Sequence, residues 1–191
     1  MDWLTFFSKV IAALAWPGAL IVVLLIVRKE LPALARSLRK FKFKDVELEF
    51  GEGAKAVASE AKEVVPVRPD VPLVGRSRED LVNRLYMFTE FAPRAAIIEA
   101  WLLVEGAAVA LVQKRSGKPL TSMPGPMRLR DSLVRAEALN SKQIEVFENL
   151  RTLRNQAVHY PDADFTQESV RSFVDAALTM AAYLESLIAE T

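Results

Sequence analysis

Residues 150–161, with the sequence LRTLRNQAVHYP, contain the only histidine of this 191-residue chain. That histidine, His159, follows an arginine–asparagine pair, with three residues between Asn155 and His159. Apolar residues recur at the spacing of one helix face, at Val146, Leu150, Leu153 and Ala157. The pattern predicts an amphipathic helix, which Pro161 ends because the residue before a proline disfavours the helical conformation.

Upstream of this helix, the sequence marks two further helix starts. Ser77 is a candidate N-cap for a helix that begins at Arg78 and has acidic residues in its first turn. Pro93 suits the first turn of the next helix, which we expect to run to about Arg115 and which is apolar around most of its circumference. Such a helix belongs in the middle of a bundle or in a subunit interface, and the Ser-Gly-Lys-Pro sequence at residues 116–119 ends it.

The C-terminal helices are marked by their caps. Asn140, with Gln143 three residues later, resembles a capping box at the start of the histidine-bearing helix. Thr166 is a candidate N-cap for the last helix. No alternating β pattern follows residue 50, so residues 78–191 are predicted to form an all-α bundle of four to five helices.

The N-terminal segment is predicted to cross a membrane. Residues 10–27 carry no charge, and as a helix they would span about 27 Å, close to a hydrocarbon core of about 30 Å. We assign residues 1–29 to a transmembrane anchor. A cleaved signal peptide is the alternative, with Ala33-Leu34-Ala35 as a small-x-small site, but the apolar run is long and charged residues separate it from that site.

Basic residues follow the apolar segment and indicate its orientation. Before residue 45 only one acidic residue, Glu30, interrupts them. The positive-inside rule then places the C-terminal domain in the cytoplasm of a single-pass protein of the inner (cell) membrane, with the basic cluster on anionic lipid headgroups. A nucleic acid is the alternative partner of this cluster. The cluster comprises Arg28, Lys29, Arg36, Arg39, Lys40, Lys42 and Lys44.

The connecting region, residues 30–77, is predicted to contain a short β segment. Apolar and charged residues alternate on both sides of Lys44-Asp45, which predicts a strand or a small hairpin that turns there. Because an isolated hairpin is marginal in water, we expect it to need a partner. A short helix with little to bury follows, and Pro66, Pro69 and Pro72 then predict an extended linker that ends near Val74-Gly75. The apolar set of the β segment is Phe41, Phe43, Val46, Leu48 and Phe50.

Composition excludes several classes of site. Apolar residues make up 51 % of the chain and charged residues 26 %, so global disorder is not expected. The chain has no cysteine, which excludes disulfides, thiolate metal sites and cysteine nucleophiles. With a single histidine as well, we predict no metal site and no cofactor. Residues 78–191 carry 13 basic and 15 acidic residues, so the predicted domain is slightly acidic.

Arg154 and His159 have the chemistry that RNA cleavage without a metal requires. A guanidinium suits a phosphate, and an imidazole gives and takes protons near neutral pH. On a regular helix the two lie about 140° apart, so we expect the helix to loosen before Tyr160 and let them meet. Asn155 could orient either group, and Arg151 and Tyr160 are the candidate substrate-binding residues beside them. The alternative is structural, since a helix C-terminus by itself favours a histidine.

The bundle, with LRTLRNQAVH near the end of its penultimate long helix, resembles the HEPN superfamily, and within it the DUF4145-like, membrane-tethered bacterial proteins. The resemblance covers roughly residues 78–191 and includes residues 93–101. It implies a dimer whose two motifs face each other across a composite cleft. It also implies a metal-independent endoribonuclease with Arg154 and His159 as the catalytic pair and Asn155 in support, although many relatives are non-catalytic RNA-binding or interaction modules.

Three functional hypotheses follow, and the sequence leaves the question of catalysis open. The first is a membrane-anchored HEPN-like endoribonuclease, acting as a homodimer on RNA in a stress or phage-defence response. The second is a non-catalytic helical dimerisation or interaction module at the inner membrane. The third is a polybasic lipid sensor whose working part is residues 28–44.

Overall fold

The computed structural model describes residues 3–66, 78–117 and 126–190. Within them the backbone forms helices and short turns and no strand, which confirms the all-α class. The predicted cap Ser77, the prolines Pro69 and Pro72 and the linker end at Val74-Gly75 lie outside the described residues. The helices are α1 (Trp3–Val64), α2 (Arg78–Phe91), α3 (Pro93–Ser116), α4 (Pro126–Arg135), α5 (Ser141–His159) and α6 (Gln167–Glu190).

The chain divides into two compact units, Met1–Lys42 and Phe43–Thr191. The second unit contains α2 to α6 together with the C-terminal part of α1. Residues 43–66, which were predicted to lie in the connecting region, therefore belong to the second unit and contribute to its core.

The predicted β segment at residues 41–50 is wrong, because this stretch is helical within α1. The alternation of apolar residues there is short, and two of its members, Val46 and Phe50, are also four residues apart, which is a helical spacing. The structure follows the helical period: Val46 and Phe50 are buried, whereas Leu48 between them is 60 % exposed. The apolar face continues with Ala54, Val57, Ala61 and Val65, all of them buried.

Phe50 anchors this face of α1 in the bundle. Its side chain is fully buried, and its ring centroid lies 4.4 Å from that of Phe165 and 6.2 Å from that of Phe173. Gly53 allows α1 to approach α5 closely, since a Cβ atom there would lie 2.9 Å from Leu153 Cδ2. The helix predicted after the β segment thus has a full apolar face to bury, contrary to our expectation.

Helix α3 lies in the middle of the bundle, as its apolar circumference predicted. It packs most extensively against α6 and also contacts α2, α4 and α5. Trp101 on α3 is fully buried, with its ring centroid 5.3 Å from that of Phe147 on α5. This central position explains why apolar residues occupy nearly every side of the helix.

The predicted helix ends at Gly117, Asn140 and Thr166 are confirmed. Gly117 ends α3 in the left-handed conformation (φ 63°), which glycine adopts without strain. Asn140 and Gln143 form the predicted capping box at the start of α5, each side chain bonding to the other's backbone N–H. The hydroxyl of Thr166 accepts a hydrogen bond from the N–H of Ser169 at the start of α6.

Among the described residues, two helices are long and apolar enough to cross a membrane. They are α3 and α6, and about half of each apolar window is buried inside the structure (50 % and 56 %). Because these two helices pack against each other, their apolar residues have a role in the bundle core.

In the unit Met1–Lys42, the predicted transmembrane segment, residues 10–27, is helical. The large apolar side chains described in this unit are exposed, with Trp16 at 76 %. They are Trp3, Phe6, Trp16, Leu20, Ile21 and Val22. For the seven basic residues from Arg28 to Lys44 the structure describes the helical backbone and not the side chains.

Candidate active site at the end of helix α5

Helix α5 stays regular through His159. Tyr160 leaves the helical conformation (φ −113°, ψ 75°), and its N–H donates to the carbonyl of Gln156 at 3.1 Å. Our expectation that the helix loosens before Tyr160 is therefore wrong. At about 100° per residue, Arg154 and His159 lie on different faces of α5. Within the described part of the chain, no hydrogen bond joins them.

Arg154 has a fixed orientation and a free donor. Its side chain is half-buried, and Nη1 donates a hydrogen bond to Asn155 Oδ1 at 3.0 Å. Its Nε is buried and has no acceptor among the described residues. This N–H would gain a hydrogen bond from any anion that reached it.

His159, in contrast, is exposed to solvent. In the described structure its imidazole has no hydrogen-bond or ion-pair partner. The side chain is thus accessible to a molecule arriving from solution, and Arg154 of the same chain forms no hydrogen bond with it.

The two candidate substrate-binding residues are both engaged within the chain. Arg151 binds Glu148, with Nη2 2.6 Å and Nε 3.1 Å from Oε2, and both side chains are mostly buried (17 % and 23 % exposed). The other carboxylate oxygen of Glu148 lies 3.8 Å from Arg130 Nε. Tyr160 is partly buried and packs against the hydrophobic core. A phosphate would therefore have to compete with Glu148 for Arg151.

Arg94 contacts the candidate site, which its sequence context did not predict. From the first turn of α3 its Nη1 donates to the carbonyl of Ala157, and its Nη2 donates to the carbonyl of Ala163. Its guanidinium lies 5.1 Å from the centroid of the Phe165 ring. A signal did exist in the sequence: a cation in the first turn of a helix opposes the helix dipole, so it requires a compensating tertiary contact.

Two carboxylates of α1 hold the same segment from another side. Glu49 Oε1 accepts a hydrogen bond from Gln156 Nε2 at 2.9 Å, and Glu47 Oε1 accepts one from the backbone N–H of Asp164 at 2.8 Å. These contacts were not predicted, because the sequence analysis placed both glutamates on a strand.

A cavity of about 230 Å³ lies beside the loop that follows α5. Its charged lining residues are Asp164 and Arg94, and Arg94 already donates hydrogen bonds to the carbonyls of Ala157 and Ala163. Within residues 3–66, 78–117 and 126–190, no three His, Asp or Glu side chains are close enough to hold a metal ion. The full lining comprises Ala92, Pro93, Arg94, Ala95, Ala163, Asp164 and Phe165.

A separate polar contact joins α2 to α6. The hydroxyl of Tyr86 donates to Asp175 Oδ1, and the guanidinium of Arg171 lies 5.7 Å from the centroid of the Tyr86 ring. Burial, together with the hydrogen bond to Asp175 and the negative charge of that carboxylate, raises the pKa of Tyr86 from 10.0 to about 12, although the positive charge of Arg171 acts in the opposite direction. The residue therefore stays protonated, as a donor, well above neutral pH.

No protein-family model, curated protein or solved structure matches this chain. The assignment of function therefore depends on the residues at the end of α5. There the structure brings together Arg154 and Asn155, and it connects the segment to Arg94, Glu47 and Glu49. Arg154 and His159 of one chain are not joined by a hydrogen bond.

Proposed function

We propose that this protein is a membrane-anchored, HEPN-like endoribonuclease that acts as a homodimer, with Arg154 and His159 as its catalytic pair and Asn155 in support. The observation that carries the proposal is that the only imidazole is exposed and without a partner among the described residues, at the end of a helix that α1 and α3 hold. The non-catalytic alternative expects Arg154 and His159 to be buried and fully hydrogen-bonded within one chain. His159 meets neither condition.

The proposed reaction uses both side chains and no metal ion. His159 takes the proton of a ribose 2′-hydroxyl, and the 2′-oxygen attacks the adjacent phosphorus. The bond between phosphorus and the 5′-oxygen breaks, and that oxygen takes a proton from solvent, leaving a 2′,3′-cyclic phosphate and a 5′-hydroxyl. The guanidinium of Arg154, oriented by Asn155, stabilises the negative charge that develops on the phosphoryl oxygens.

A homodimer can bring together the two catalytic groups, which lie apart on a single helix. Because Arg154 and His159 of one chain lie on different faces of α5, a single phosphate reaches both groups most easily when they come from different chains. In a two-fold dimer, Arg154 of one protomer would act with the partner subunit's His159, and the symmetry would create two such sites.

The exposed apolar side chains of the unit Met1–Lys42 support the membrane anchor. Residues such as Trp16 and Ile21 are costly to expose to water and favourable in lipid. In this proposal the helix crosses the inner membrane once at residues 10–27, and the basic residues that follow it place the catalytic domain in the cytoplasm.

The test is RNA cleavage by the full-length protein in lipid nanodiscs with a metal chelator present. His159→Ala and Arg154→Ala should each lower the cleavage rate by at least about 100-fold, since a general base and a charge-stabilising group are each worth that much. Arg135→Ala, which removes an exposed arginine of α4, serves as the control and should retain the wild-type rate. Equal rates for the wild type and His159→Ala would refute the proposal.

Mixed dimers test whether the site is composite. A heterodimer of one His159→Ala chain and one Arg154→Ala chain contains one complete site if the two groups come from different chains, and it should recover about half of the wild-type activity. If both groups act from the same chain, each protomer lacks one of them and the mixture stays inactive. Absence of recovery, with the heterodimer demonstrated by differential tagging, would contradict the composite site.

A non-catalytic interaction module is the second candidate, and one observation favours it. Met87 and Phe91 lie four residues apart on α2 and are 53 % and 77 % exposed, which is typical of a protein-contact surface. This function predicts that Phe91→Ser abolishes capture of a protein partner while His159→Ala has no effect on it.

A further inference from the structure

We infer that Arg94 is the positioning residue of the candidate site, holding the segment of residues 157–163 so that the backbone that carries His159 keeps one position. The inference rests on the proposed function for its catalytic consequence. Arg94 itself does not contact the reacting atoms: both of its terminal nitrogens are bonded to backbone carbonyls.

The two hydrogen bonds of Arg94 bracket His159 along the chain. Ala157 precedes His159 by two residues and Ala163 follows it by four, and the guanidinium binds the carbonyls of both. Because the guanidinium is a rigid planar fork, it fixes the spacing between these two carbonyls. The exit of α5 and the start of the following loop are thereby held in one geometry.

The backbone carbonyl of Ala157 requires a hydrogen-bond donor from outside helix α5. In a continuing helix, the carbonyl of Ala157 would accept the N–H of residue 161, but residue 161 is a proline and has none. Arg94 supplies that missing donor. Ala157 is buried, so an unsatisfied carbonyl there would be costly and the contact is strongly favoured.

The location of Arg94 also indicates that its tertiary contacts, rather than the stability of α3, favour an arginine at this position. The first turn of α3 is an unfavourable place for a cation, because the positive end of the helix dipole lies there. Two carbonyls and the face of the Phe165 ring, 5.1 Å away, compensate for that cost. A lysine could offer one carbonyl a point charge but could not bind both at a fixed spacing.

Removal of Arg94 should leave the body of α5 in place. Leu150 and Leu153 remain buried in the core, and the capping box lies at the opposite end of α5 from the contact with Arg94. We expect the loss to be confined to the last turn and the following loop, where the backbone that carries His159 would take several positions. Chemistry should therefore slow while RNA binding stays nearly unchanged.

The experiment uses the full-length protein in nanodiscs with ¹³C-labelled histidine. The single histidine gives one imidazole signal without assignment work. We compare the wild type with Arg94→Ala, Arg94→Lys and Arg115→Ala. Arg115 is the matched control: it lies on the same helix and donates to two carbonyls, those of Ala136 and Glu137, at the end of α4.

We expect Arg94→Ala to broaden or split the imidazole signal and to lower kcat by about 10- to 100-fold with KM little changed, as for a misplaced catalytic group. Arg94→Lys should give an intermediate result in both measurements. Arg115→Ala should match the wild type. If Arg94→Ala does not fold, the lysine variant decides, because it keeps the charge and one possible donor.

The inference is overturned if the Arg94 variants keep the wild-type imidazole signal and kcat, or if Arg115→Ala changes them equally. Failure of the proposed function has a different signature, because wild type and His159→Ala would then cleave RNA equally slowly. In that case the imidazole signal still decides whether Arg94 fixes the segment.

Discussion

Replacement of Phe50 by alanine should strongly destabilise the C-terminal unit, although the sequence analysis placed this residue outside that domain. Phe50 is fully buried, and its ring contacts those of Phe165 and Phe173. Leu48, two residues earlier, is 60 % exposed. A strand would have placed Phe50 and Leu48 on the same face, whereas the helix separates them. The two positions therefore test both the helix and its packing.

The expected magnitude follows from the burial of the ring. Truncation of a fully buried phenylalanine to alanine costs about 3–5 kcal/mol, through lost transfer free energy and the cavity that is left. With a urea slope of about 2 kcal/mol per molar, the unfolding midpoint of Phe50→Ala should fall by about 1.5–2.5 M. Leu48→Ala should change the free energy of unfolding by no more than about 0.5 kcal/mol.

Pulse proteolysis in urea, with the full-length protein in nanodiscs, measures the midpoint without interference from the tryptophans of the N-terminal unit. Phe50→Leu serves as a milder variant if Phe50→Ala is too unstable to purify, and it should cost less than about 1.5 kcal/mol. Equal shifts for Phe50→Ala and Leu48→Ala would refute the packing described for α1. So would a Phe50→Ala midpoint indistinguishable from that of the wild type.

Two further predictions concern polar contacts within the bundle. Because the folded-state pKa of Tyr86 is raised from 10.0 to about 12, its contribution to stability is present below pH 10 and is lost as the pH rises through about 12. Urea midpoints measured from pH 9 to 12 should therefore fall less steeply in Tyr86→Phe than in the wild type. The control variant Tyr183→Phe should follow the wild type. Gln143 caps α5, and its Nε2 also donates to the carbonyl of Val64 at 3.2 Å. Gln143→Ala should therefore lower the free energy of unfolding, measured in urea, by about 1–3 kcal/mol. Replacement of the exposed neighbour, Lys142→Ala, should leave it unchanged.

The candidate site was only partly predictable. The helix with its single histidine, the orienting role of Asn155 and the stop at Pro161 are local features, and the sequence displays them. The contacts that hold the segment are not local: Arg94 is 63 residues from Ala157 and 69 from Ala163, and Glu49 is 107 residues from Gln156. No periodicity records which distant side chain will reach a given carbonyl.

Helix period and helix-end signals act over a few residues, so the all-α class, the central position of α3 and the caps at Gly117, Asn140 and Thr166 could be predicted without the structure. The helical conformation of residues 43–66 and their place in the core depend on contacts with distant parts of the chain. A five-residue run such as Val46 to Phe50 satisfies the periods of a strand and of a helix about equally, and the choice depends on the partner surface available to bury it. Here that surface is the rings of Phe165 and Phe173, more than a hundred residues away along the chain, and their contact with Phe50 selects the helix.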